Sequence, residues 1–401
     1  MRWQIRFILG LHHTRFSTAP MLPHLTPVSL VIAFSTAVYA SSTRADFAAG
    51  LAAFHAQDYD LAALEFRESA DAGDTASQYY LAGLYAEGLG VSRNDADAAM
   101  WLFRAARAGN ASAQYQLGSF YVDGRGVTQN YTEARHWLRL AAHQHDSAAQ
   151  FSLGFMDAKG LGGEQDINSA KRWYKRAIEQ NHTGARHNLA LLYYRGDVIG
   201  KDIAAAVGLF RQAARYGYAD AQYSLGMLHR RGDGVTEDLE RAAELLELAA
   251  RQGHVSAQFN LGQMVRNGIG GPPDLLKSIR LLRAAADQGH AKAQYNLGFL
   301  LAHAPAPVFS PRTAIKYYEQ AAAQGHQRAL VNLGVMYGNG LGVDADPVRA
   351  FAWWTLAANA GQTRGRNHLQ HLQSSMTAEQ KLAGMQLASE LKERLQLRSA
   401  P

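Results

Sequence analysis

A period of 36 residues, which recurs without drift over most of the chain, constrains this sequence more than any other feature. Steps of 36 from Gln78 reach glutamine at six of nine positions, and four residues later the residue is alanine or glycine in eight successive copies. We call the stepped position the anchor; it is occupied by Gln78, Gln114, Gln150, Arg186, Gln222, Gln258, Gln294, Leu330 and Arg366. Self-similarity at such a period is typical of a solenoid, whose repeats bury their apolar faces only against their neighbours. The sequence therefore predicts eight repeats over 75–362.

Each repeat contains two stretches with helical periodicity and no stretch typical of a strand. AQYNLGFLLA (293–302) has apolar residues three and four apart, and ADAAMWLFRAA (96–106) shows the same spacing in the second half of a repeat. Glycines such as Gly109 and Gly253 then follow the second helix, at a position suited to a left-handed cap. The sequence thus predicts an all-α fold of helix–turn–helix repeats.

Pairs of glycines, as in GLGV (88–91) and GDGV (232–235), resemble the beginning of a nucleotide-binding loop. A dinucleotide fingerprint follows a strand and has a third glycine three residues after the second, where GLGVSR has Arg93. The pair lies ten and twelve residues after the anchor, where the chain must turn from the first helix to the second. We interpret these residues as turn glycines and not as a phosphate site.

ASAQYQLGSFYVDGRGVTQNYTEARHWLRLAA (111–142) closely resembles SEL-one-like repeats, which are relatives of the tetratricopeptide repeats with a longer internal turn. The resemblance covers 75–366 and implies a right-handed α/α superhelical solenoid of 36-residue helix-turn-helix repeats, of the bacterial exported type without cysteines. Two repeats depart from the pattern. HAPAPVFSPR replaces the glycine turn in the repeat that begins at 291, and Val198 replaces the second turn glycine in the repeat that begins at 183. Altered turns are expected in both.

Both ends of the array are predicted to carry terminal helices. Residues 41–74 contain a helix pair with a shorter turn, which resembles an ordinary tetratricopeptide repeat. At 363–401 we expect C-terminal capping helices, because Thr377 with Gln380 forms a capping box before a charged, amphipathic helix. A polar terminal element is what a solenoid needs for solubility.

The first 40 residues carry arginine but no aspartate or glutamate, and they include an apolar run from Val28 to Tyr39. This run is shorter than the about 20 apolar residues that a spanning helix needs. Val38 and Ala40 are the small residues that a signal peptidase accepts just before its cleavage site, so we interpret 1–40 as a secretory signal peptide. Export to the periplasm, or secretion, is therefore expected; a start at Met21 and an uncleaved membrane anchor are the alternatives.

Composition excludes several classes of site. The chain has no cysteine, which excludes disulfides, thiolate zinc sites and cysteine nucleophiles. The formal net charge of +6 includes Arg2, Arg6 and Arg15, and it falls by three, to +3, when the signal peptide is removed. So small a bias does not indicate nucleic-acid binding.

No pattern in the sequence indicates catalysis, a cofactor or a metal. Of the sixteen histidines, four recur at the junction between repeats: His182, His254, His290 and His326. Successive repeats lie about 10 Å apart, too far for two imidazoles that would each bind zinc at about 2 Å. His368 and His371 lack an evident third ligand, and the recurrent Trp101, Trp137 and Trp173 are interpreted as packing residues. We therefore predict a protein that is not an enzyme.

The sequence does predict a surface on the first helices. In tetratricopeptide-like arrays these helices line the concave face, so the resemblance implies that positions two, five, eight and nine after the anchor meet a partner. Asparagine can donate to and accept from a peptide backbone, and arginine forks match carboxylates. The predicted partner-binding residues are Asn188, Asn260, Asn296, Asn332, Lys159, Arg195, Arg230, Arg231, Arg266, Phe155 and Met227.

We therefore expect an exported, non-catalytic scaffold or adaptor that binds an acidic, partly apolar polypeptide segment across the third to sixth repeats. It is equally consistent with the sequence that the charges are solvated and that the asparagines hold neighbouring helices together. A polyanionic polysaccharide, a peptidoglycan-related ligand or an envelope enzyme are further alternatives. Relatives linked to β-lactam or peptidoglycan binding carry regular cysteine pairs, which this chain lacks.

Overall fold

The structure is a computed structural model that describes residues 38–196 and 200–395, with side chains from residue 47 onward. The predicted signal peptide, except for the backbone of its last three residues, and Val198 lie outside the described residues. The described chain is helical and contains no strand. It separates into two compact units, an N-terminal unit that ends at Asp202 and a C-terminal unit that begins at Ile203.

The N-terminal unit contains nine of the described helices. They are α1 (Val38–His55), α2 (Tyr59–Asp71), α3 (Thr75–Glu87), α4 (Asp95–Arg107), α5 (Ala111–Asp123), α6 (Tyr131–His143), α7 (Ser147–Lys159), α8 (Ile167–Glu179) and α9 (Thr183–Arg195). The first helices of the repeats are α3, α5, α7 and α9, and each of the first three packs against the second helix that follows it.

The C-terminal unit contains the other eleven described helices. They are α10 (Ile203–Arg215), α11 (Ala219–Arg231), α12 (Leu239–Arg251), α13 (Val255–Arg266), α14 (Leu275–Asp287), α15 (Ala291–His303), α16 (Pro311–Ala323), α17 (Gln327–Gly338), α18 (Pro347–Asn359), α19 (Thr363–Gln373) and α20 (Ala378–Arg394). Here the odd-numbered helices are first helices, and each from α11 to α17 packs on the second helices before and after it along the chain. The predicted all-α fold of 36-residue helix–turn–helix repeats is confirmed.

Local signals in the sequence account for the helix ends. Most second helices begin at Asn or Asp, as at Asn94, whose side chain accepts from the backbone N–H groups of Ala96 and Asp97. Several first helices end on a glycine in the left-handed conformation, such as Gly124. These caps satisfy backbone groups that a helix of 13 residues leaves without an intrahelical partner.

The second glycine of the turn contacts the preceding repeat. Gly126, with φ +66°, lies so close to the first turn of α4 that a Cβ would overlap the backbone carbonyl of Asp95. Only a residue without a side chain fits this combination of positive φ and close approach. The glycine pair therefore lies in a packed turn between two helices of the repeat.

The repeat that begins at 291 replaces its glycines but keeps the same exit from the turn. The backbone N–H of Ser310 donates to the carbonyl of Leu301 at 2.7 Å, as that of Asp274 does to Val265 at 3.1 Å one repeat earlier. The start of this turn differs from that of the glycine turns, because Ala304 ends α15 in an extended conformation. The substituted turn changes shape at its start without moving the next helix out of register.

Small residues in the first helices bring the two helices of a repeat together. A Cβ on Gly154 in α7 would lie 2.7 Å from the ring of Tyr174 in α8, and that ring is fully buried. At the end of the array, α18 packs against both α19 and α20, and Thr377 and Gln380 form the predicted capping box of α20. None of the described helices is both long and apolar enough to cross a membrane.

Candidate partner-binding surface

The predicted partner-binding residues all lie on first helices, but they are divided between the two compact units. Phe155, Lys159, Asn188 and Arg195 belong to the N-terminal unit, on α7 and α9. The C-terminal unit holds Met227, Arg230, Arg231, Asn260, Arg266, Asn296 and Asn332, on α11, α13, α15 and α17. Neighbouring first helices within one unit therefore bring only part of the predicted set together.

Two of the asparagines bind to the preceding second helix. The side-chain amide of Asn188 donates to the hydroxyl of Tyr174 at 3.3 Å, and that of Asn332 donates to the hydroxyl of Tyr318 at 3.0 Å. Burial raises the pKa of Tyr174 to about 12 and also raises the pKa of Tyr318, so both phenols stay protonated at neutral pH. At these two positions the amide nitrogen holds neighbouring helices together.

Asn260 connects the asparagine position to the arginines. Its amide nitrogen donates to the backbone carbonyl of Ser256 at 2.8 Å, and its oxygen accepts from Nη1 of Arg230 at 3.2 Å. Arg230 lies on α11 and Asn260 on α13, so this contact joins two successive first helices. The guanidinium of Arg230 is thereby oriented, while its neighbour Arg231 is exposed.

The next pair of first helices, α13 and α15, is joined by a contact with an aromatic ring. The guanidinium carbon of Arg266, on α13, lies 5.8 Å from the ring centroid of Phe299 on α15. Phe299 in turn stacks on His303 with centroids 4.3 Å apart. We call Met227, Arg230, Arg231, Asn260, Arg266 and Phe299 the first-helix surface. It offers three guanidinium groups beside apolar side chains within the C-terminal unit.

The sequence did not reveal the role of the anchor glutamines. Nε2 of each donates to a backbone carbonyl in the preceding second helix: Gln78 to Ala70, Gln114 to Ala106, Gln150 to Ala142, Gln222 to Ala214, Gln258 to Ala250 and Gln294 to Ala286, at 3.0–3.3 Å. In five repeats Oε1 also accepts from a glutamine thirty residues later: Gln144, Gln180, Gln252, Gln288 and Gln324, at 2.7–2.9 Å. In these five repeats the buried anchor glutamine lies near the start of a first helix. It hydrogen-bonds both to the end of the preceding second helix and to the end of the second helix of its own repeat. The recurrence of a second glutamine at a spacing of thirty was the available signal.

The junction histidines also act between repeats. Nδ1 of His182, His254 and His290 accepts the backbone N–H three residues later at 3.1 Å, and so caps the following first helix. The rings of His182, His254 and His326 stack on those of Phe151, Tyr223 and Tyr295, and the ring of His290 is tilted by 33° against that of Phe259. The centroids lie 4.3–4.6 Å apart in all four pairs. Burial lowers the pKa of His290, which favours the neutral ring that an acceptor requires, and it also lowers the pKa of His326, whose side chain makes no cap hydrogen bond. In the described part of the chain, no three histidine or carboxylate side chains are grouped as a metal would need.

Comparisons with known proteins agree with the repeat pattern. The family model of the Sel1 repeat matches eight segments: 75–110, 111–146, 147–182, 184–218, 219–254, 255–290, 291–326 and 327–362. These matches confirm the resemblance to SEL-one-like repeats that the sequence indicated. The curated proteins include no match to this chain.

Two solved structures are similar over much of the chain. A protective antigen present in uropathogenic Escherichia coli strains, described as displaying an SLR fold, is 27% identical with a TM-score of 0.52; the match covers 90% of this chain and 88% of that one. A Sel1 repeat protein from Oxalobacter formigenes is 29% identical with a TM-score of 0.57; the match covers 60% of this chain and 96% of that one. Both share the helical repeat architecture.

Proposed function

Because the chain belongs to the Sel1 repeat family, whose members are generally scaffolds for protein–protein interaction, we propose that its first-helix surface binds an acidic, partly apolar segment of another protein. We further propose that the protein is exported after removal of 1–40 and acts as an adaptor with no catalytic step of its own. The single observation that carries the binding site is the row of arginines on successive first helices, beside Phe299.

The arginines suit a carboxylate partner because their guanidinium groups are already partly positioned. Asn260 orients Arg230, and the ring of Phe299 lies within cation–π distance of Arg266. A side chain that is held in this way loses less rotamer freedom when it binds, so more of its interaction free energy contributes to affinity. Arg231 is exposed and adds a further positive charge next to Arg230.

Apolar side chains in the same surface favour a polypeptide over a polysaccharide. Met227 and Phe299 are half-buried and lie on first helices of the same row as the arginines. Apolar contacts persist when salt screens the charges, whereas binding through exposed charges alone weakens steeply with ionic strength. A polypeptide with both acidic and apolar residues is the ligand that uses every part of this surface.

The test compares two charge-reversed variants. Arg230→Glu/Arg231→Glu/Arg266→Glu changes the first-helix surface, and Arg211→Glu/Arg280→Glu/Arg283→Glu makes the same change of charge at exposed positions of second helices in the same unit. Proteins captured from an envelope extract by the parent protein are identified, and the affinity of their acidic segments is measured by calorimetry. We expect the first variant to bind at least about tenfold more weakly and the second to match the parent.

Three outcomes would contradict the proposal. Equal binding by both variants would move the site away from the arginines. Binding that disappears entirely at high salt, and that a purified polyanionic polysaccharide reproduces, would favour the polysaccharide ligand. Turnover of an envelope substrate that one substitution abolishes would show an enzyme.

A further inference from the structure

A second surface is formed by exposed side chains of α4, α6 and α8 in the N-terminal unit. Positions 22, 25, 26 and 29 after the anchor follow the i, i+3, i+4, i+7 spacing of one helix face, and all twelve side chains at these positions are exposed. They are Met100, Phe103, Arg104, Arg107, His136, Arg139, Leu140, His143, Arg172, Lys175, Arg176 and Glu179. We call this set the second-helix surface. It contains six permanent cations, one carboxylate and three large apolar side chains.

The same repeat positions in other second helices do not have this composition. The same positions of α2 hold Leu64, Arg67, Glu68 and Asp71, and those of α10, α12 and α14 together hold five arginines and three acidic residues. In α12 both acidic side chains are also paired: Glu247 contacts Lys277 at 2.8 Å and Arg251 at 3.1 Å, and Glu244 contacts Arg241 at 2.6 Å. Positive charge at these positions is therefore concentrated on α4, α6 and α8.

The charge of the second-helix surface is largely left without internal neutralisation. Arg104 lies 3.8 Å from Asp71, and Arg172 lies 4.0 Å from Asp166, at the limit of an ion pair. Within the ranges that the structure describes, Arg139 and Lys175 have no carboxylate at ion-pair distance. An acidic ligand would find these cations available.

Aromatic rings beneath the surface hold two of the guanidinium groups. Arg104 lies 4.5 Å from the ring centroid of Trp101, and Arg176 lies 4.9 Å from that of Trp173. Between them, Phe103 meets the edge of Trp137 with ring centroids 5.7 Å apart. A guanidinium that lies on an indole keeps its N–H edges directed outward, and it is better prepared for a carboxylate than a freely rotating side chain.

The large apolar side chains are unevenly distributed over the three helices. Met100 and Phe103 on α4 and Leu140 on α6 are 41%, 40% and 38% exposed, whereas α8 contributes only charged side chains. Arg, Met and aromatic residues are the types enriched at protein interfaces, and Lys, which is depleted there, occurs only once in the set. The large apolar side chains are thus confined to α4 and α6, whereas cations occur on all three helices and α8 has no apolar residue in the set.

We propose that the second-helix surface binds an acidic, amphipathic helix of a partner protein. Such a helix, laid along α6, would direct its apolar stripe toward Met100, Phe103 and Leu140 and its carboxylates toward α8. Two steps between neighbouring helices, of about 10 Å each, provide the width for one helix with its side chains, which is about 10–12 Å in diameter. This site is separate from the first-helix surface, so either proposal can fail alone.

The experiment uses the full chain and two synthetic peptides of identical composition. One peptide, of about 16 residues, is built from Leu, Ala and Glu with leucines at i, i+3, i+4 and i+7 and glutamates along one flank, and the other has the same residues in scrambled order. Calorimetry is expected to show binding of the amphipathic peptide at moderate salt. The variant Arg139→Glu/Arg172→Glu/Lys175→Glu is expected to weaken it at least about tenfold, and Phe103→Ser/Leu140→Ser to weaken it as well.

Two control variants test whether the loss of peptide binding is specific to the second-helix surface. Arg211→Glu/Arg280→Glu/Arg283→Glu reverses charge at the same repeat positions in the C-terminal unit and is expected to leave binding unchanged. The first-helix variant Arg230→Glu/Arg231→Glu/Arg266→Glu is also expected to bind as the parent does. Circular dichroism compares the helix content of all variants, and only variants with the parent's spectrum are used.

Several results would overturn the proposal. No binding of the amphipathic peptide would do so, as would equal binding of the scrambled peptide or of polyglutamate, because charge alone would then explain it. Vesicles of phosphatidylcholine with about one-third phosphatidylglycerol are tested in parallel. If the second-helix variant loses vesicle binding while the parent shows no peptide binding, the surface is a membrane contact and not a protein site.

Discussion

The side-chain amide of Gln144 donates to the side-chain oxygen of Gln114 at 2.8 Å, across the two helices of one repeat. Gln114 is buried, and its own amide donates to the backbone carbonyl of Ala106 at 3.0 Å in the preceding repeat. A buried polar group that is left without a partner costs about 1–3 kcal/mol, so the glutamines are mutually dependent. This dependence explains why glutamine recurs at the anchor and again thirty residues later.

The first repeat has the anchor glutamine but lacks the second glutamine thirty residues later. Adding that second glutamine would therefore test the hydrogen bond between the two. Ala108 stands thirty residues after Gln78, and Oε1 of Gln78 is buried without a partner among the described residues. Ala108 is exposed, so a glutamine can be accommodated there. We expect Ala108→Gln to raise the free energy of unfolding by about 0.5–1.5 kcal/mol, the net value of one hydrogen bond. Urea denaturation, together with amide exchange of α3 and α4, measures the change.

The matched control for this prediction is Ala108→Glu. Glutamate has the same length but, when ionised, only accepts hydrogen bonds, so it cannot donate to Oε1 of Gln78. Equal gains from glutamine and glutamate would show that the hydrogen bond is not the cause. A loss of stability with Ala108→Gln would show that the first repeat does not close as the others do.

Substitution of alanine for the glycine four positions after the anchor is expected to destabilise the protein by different amounts in different repeats. A Cβ on Gly154 would lie 2.7 Å from the fully buried ring of Tyr174, whereas the nearest atoms to a Cβ on Gly226 lie at 3.3 Å. We expect Gly154→Ala to destabilise the protein by about 1–3 kcal/mol, because the ring has little room to move. Gly226→Ala should cost less, because the gain of up to about 1 kcal/mol in helix propensity is common to both variants while the overlap at Gly226 is smaller. Equal changes in urea denaturation for the two variants would contradict this explanation.

The junction histidines His290 and His326 predict a loss of stability in mild acid. Burial lowers the pKa of His290 in the folded protein, and the charge of Lys292 acts in the same direction, against a backbone hydrogen bond that raises it. Between the lowered pKa and the ordinary value of about 6.5, the unfolded chain therefore binds more protons than the folded one. Stability from this group is fully present above that ordinary pKa and falls as the pH is lowered through this window. The pKa of His326 is lowered for the same reason, with Arg328 and Lys292 adding to the effect of burial.

The variant His290→Asn/His326→Asn tests this window. Asn110 already caps the equivalent helix, since its Oδ1 accepts from the backbone N–H of Ala113 at 2.9 Å without titrating. The variant loses the aromatic ring contacts of both imidazoles, so its absolute stability is not the readout. We expect its free energy of unfolding to fall less than that of the parent between about pH 7.5 and 5.5. Parallel curves for the two proteins would contradict the role of the histidines.

The helices, their turns and the family were predictable because the signals for them are local and repeated. The capping box of Thr377 and Gln380 and the second-helix caps such as Asn94 could be recognised within four residues of sequence. The partners of Gln114 and Asn188 lie in other helices, and only the packed structure determines which groups meet. For the asparagines the sequence left two interpretations, and the bond from Asn188 to Tyr174 supports the one in which they join helices. Export stays a prediction.

One ion pair in the N-terminal unit occupies two repeat positions that hold an apolar contact elsewhere in the chain. Arg135 on α6 pairs with Asp157 on α7, and its Nη1 also donates to the backbone carbonyl of Leu161 at 3.0 Å. Asp157 is only 2% exposed. At the same two repeat positions the C-terminal unit has Ile279 and Leu301, both buried.

Asp157→Ala should therefore be severe, and the double change Arg135→Ile/Asp157→Leu should not. Removal of the carboxylate alone leaves the guanidinium buried without its partner, for which a loss of about 3–5 kcal/mol is typical. Replacement of both partners by apolar residues of similar volume is often neutral, and here it reproduces the pair Ile279 and Leu301 that this protein already uses. Urea denaturation of the parent, the single variant and the double variant measures the difference. If the double variant is as unstable as Asp157→Ala, the ion pair stabilises the α6–α7 contact in a way that apolar packing cannot replace.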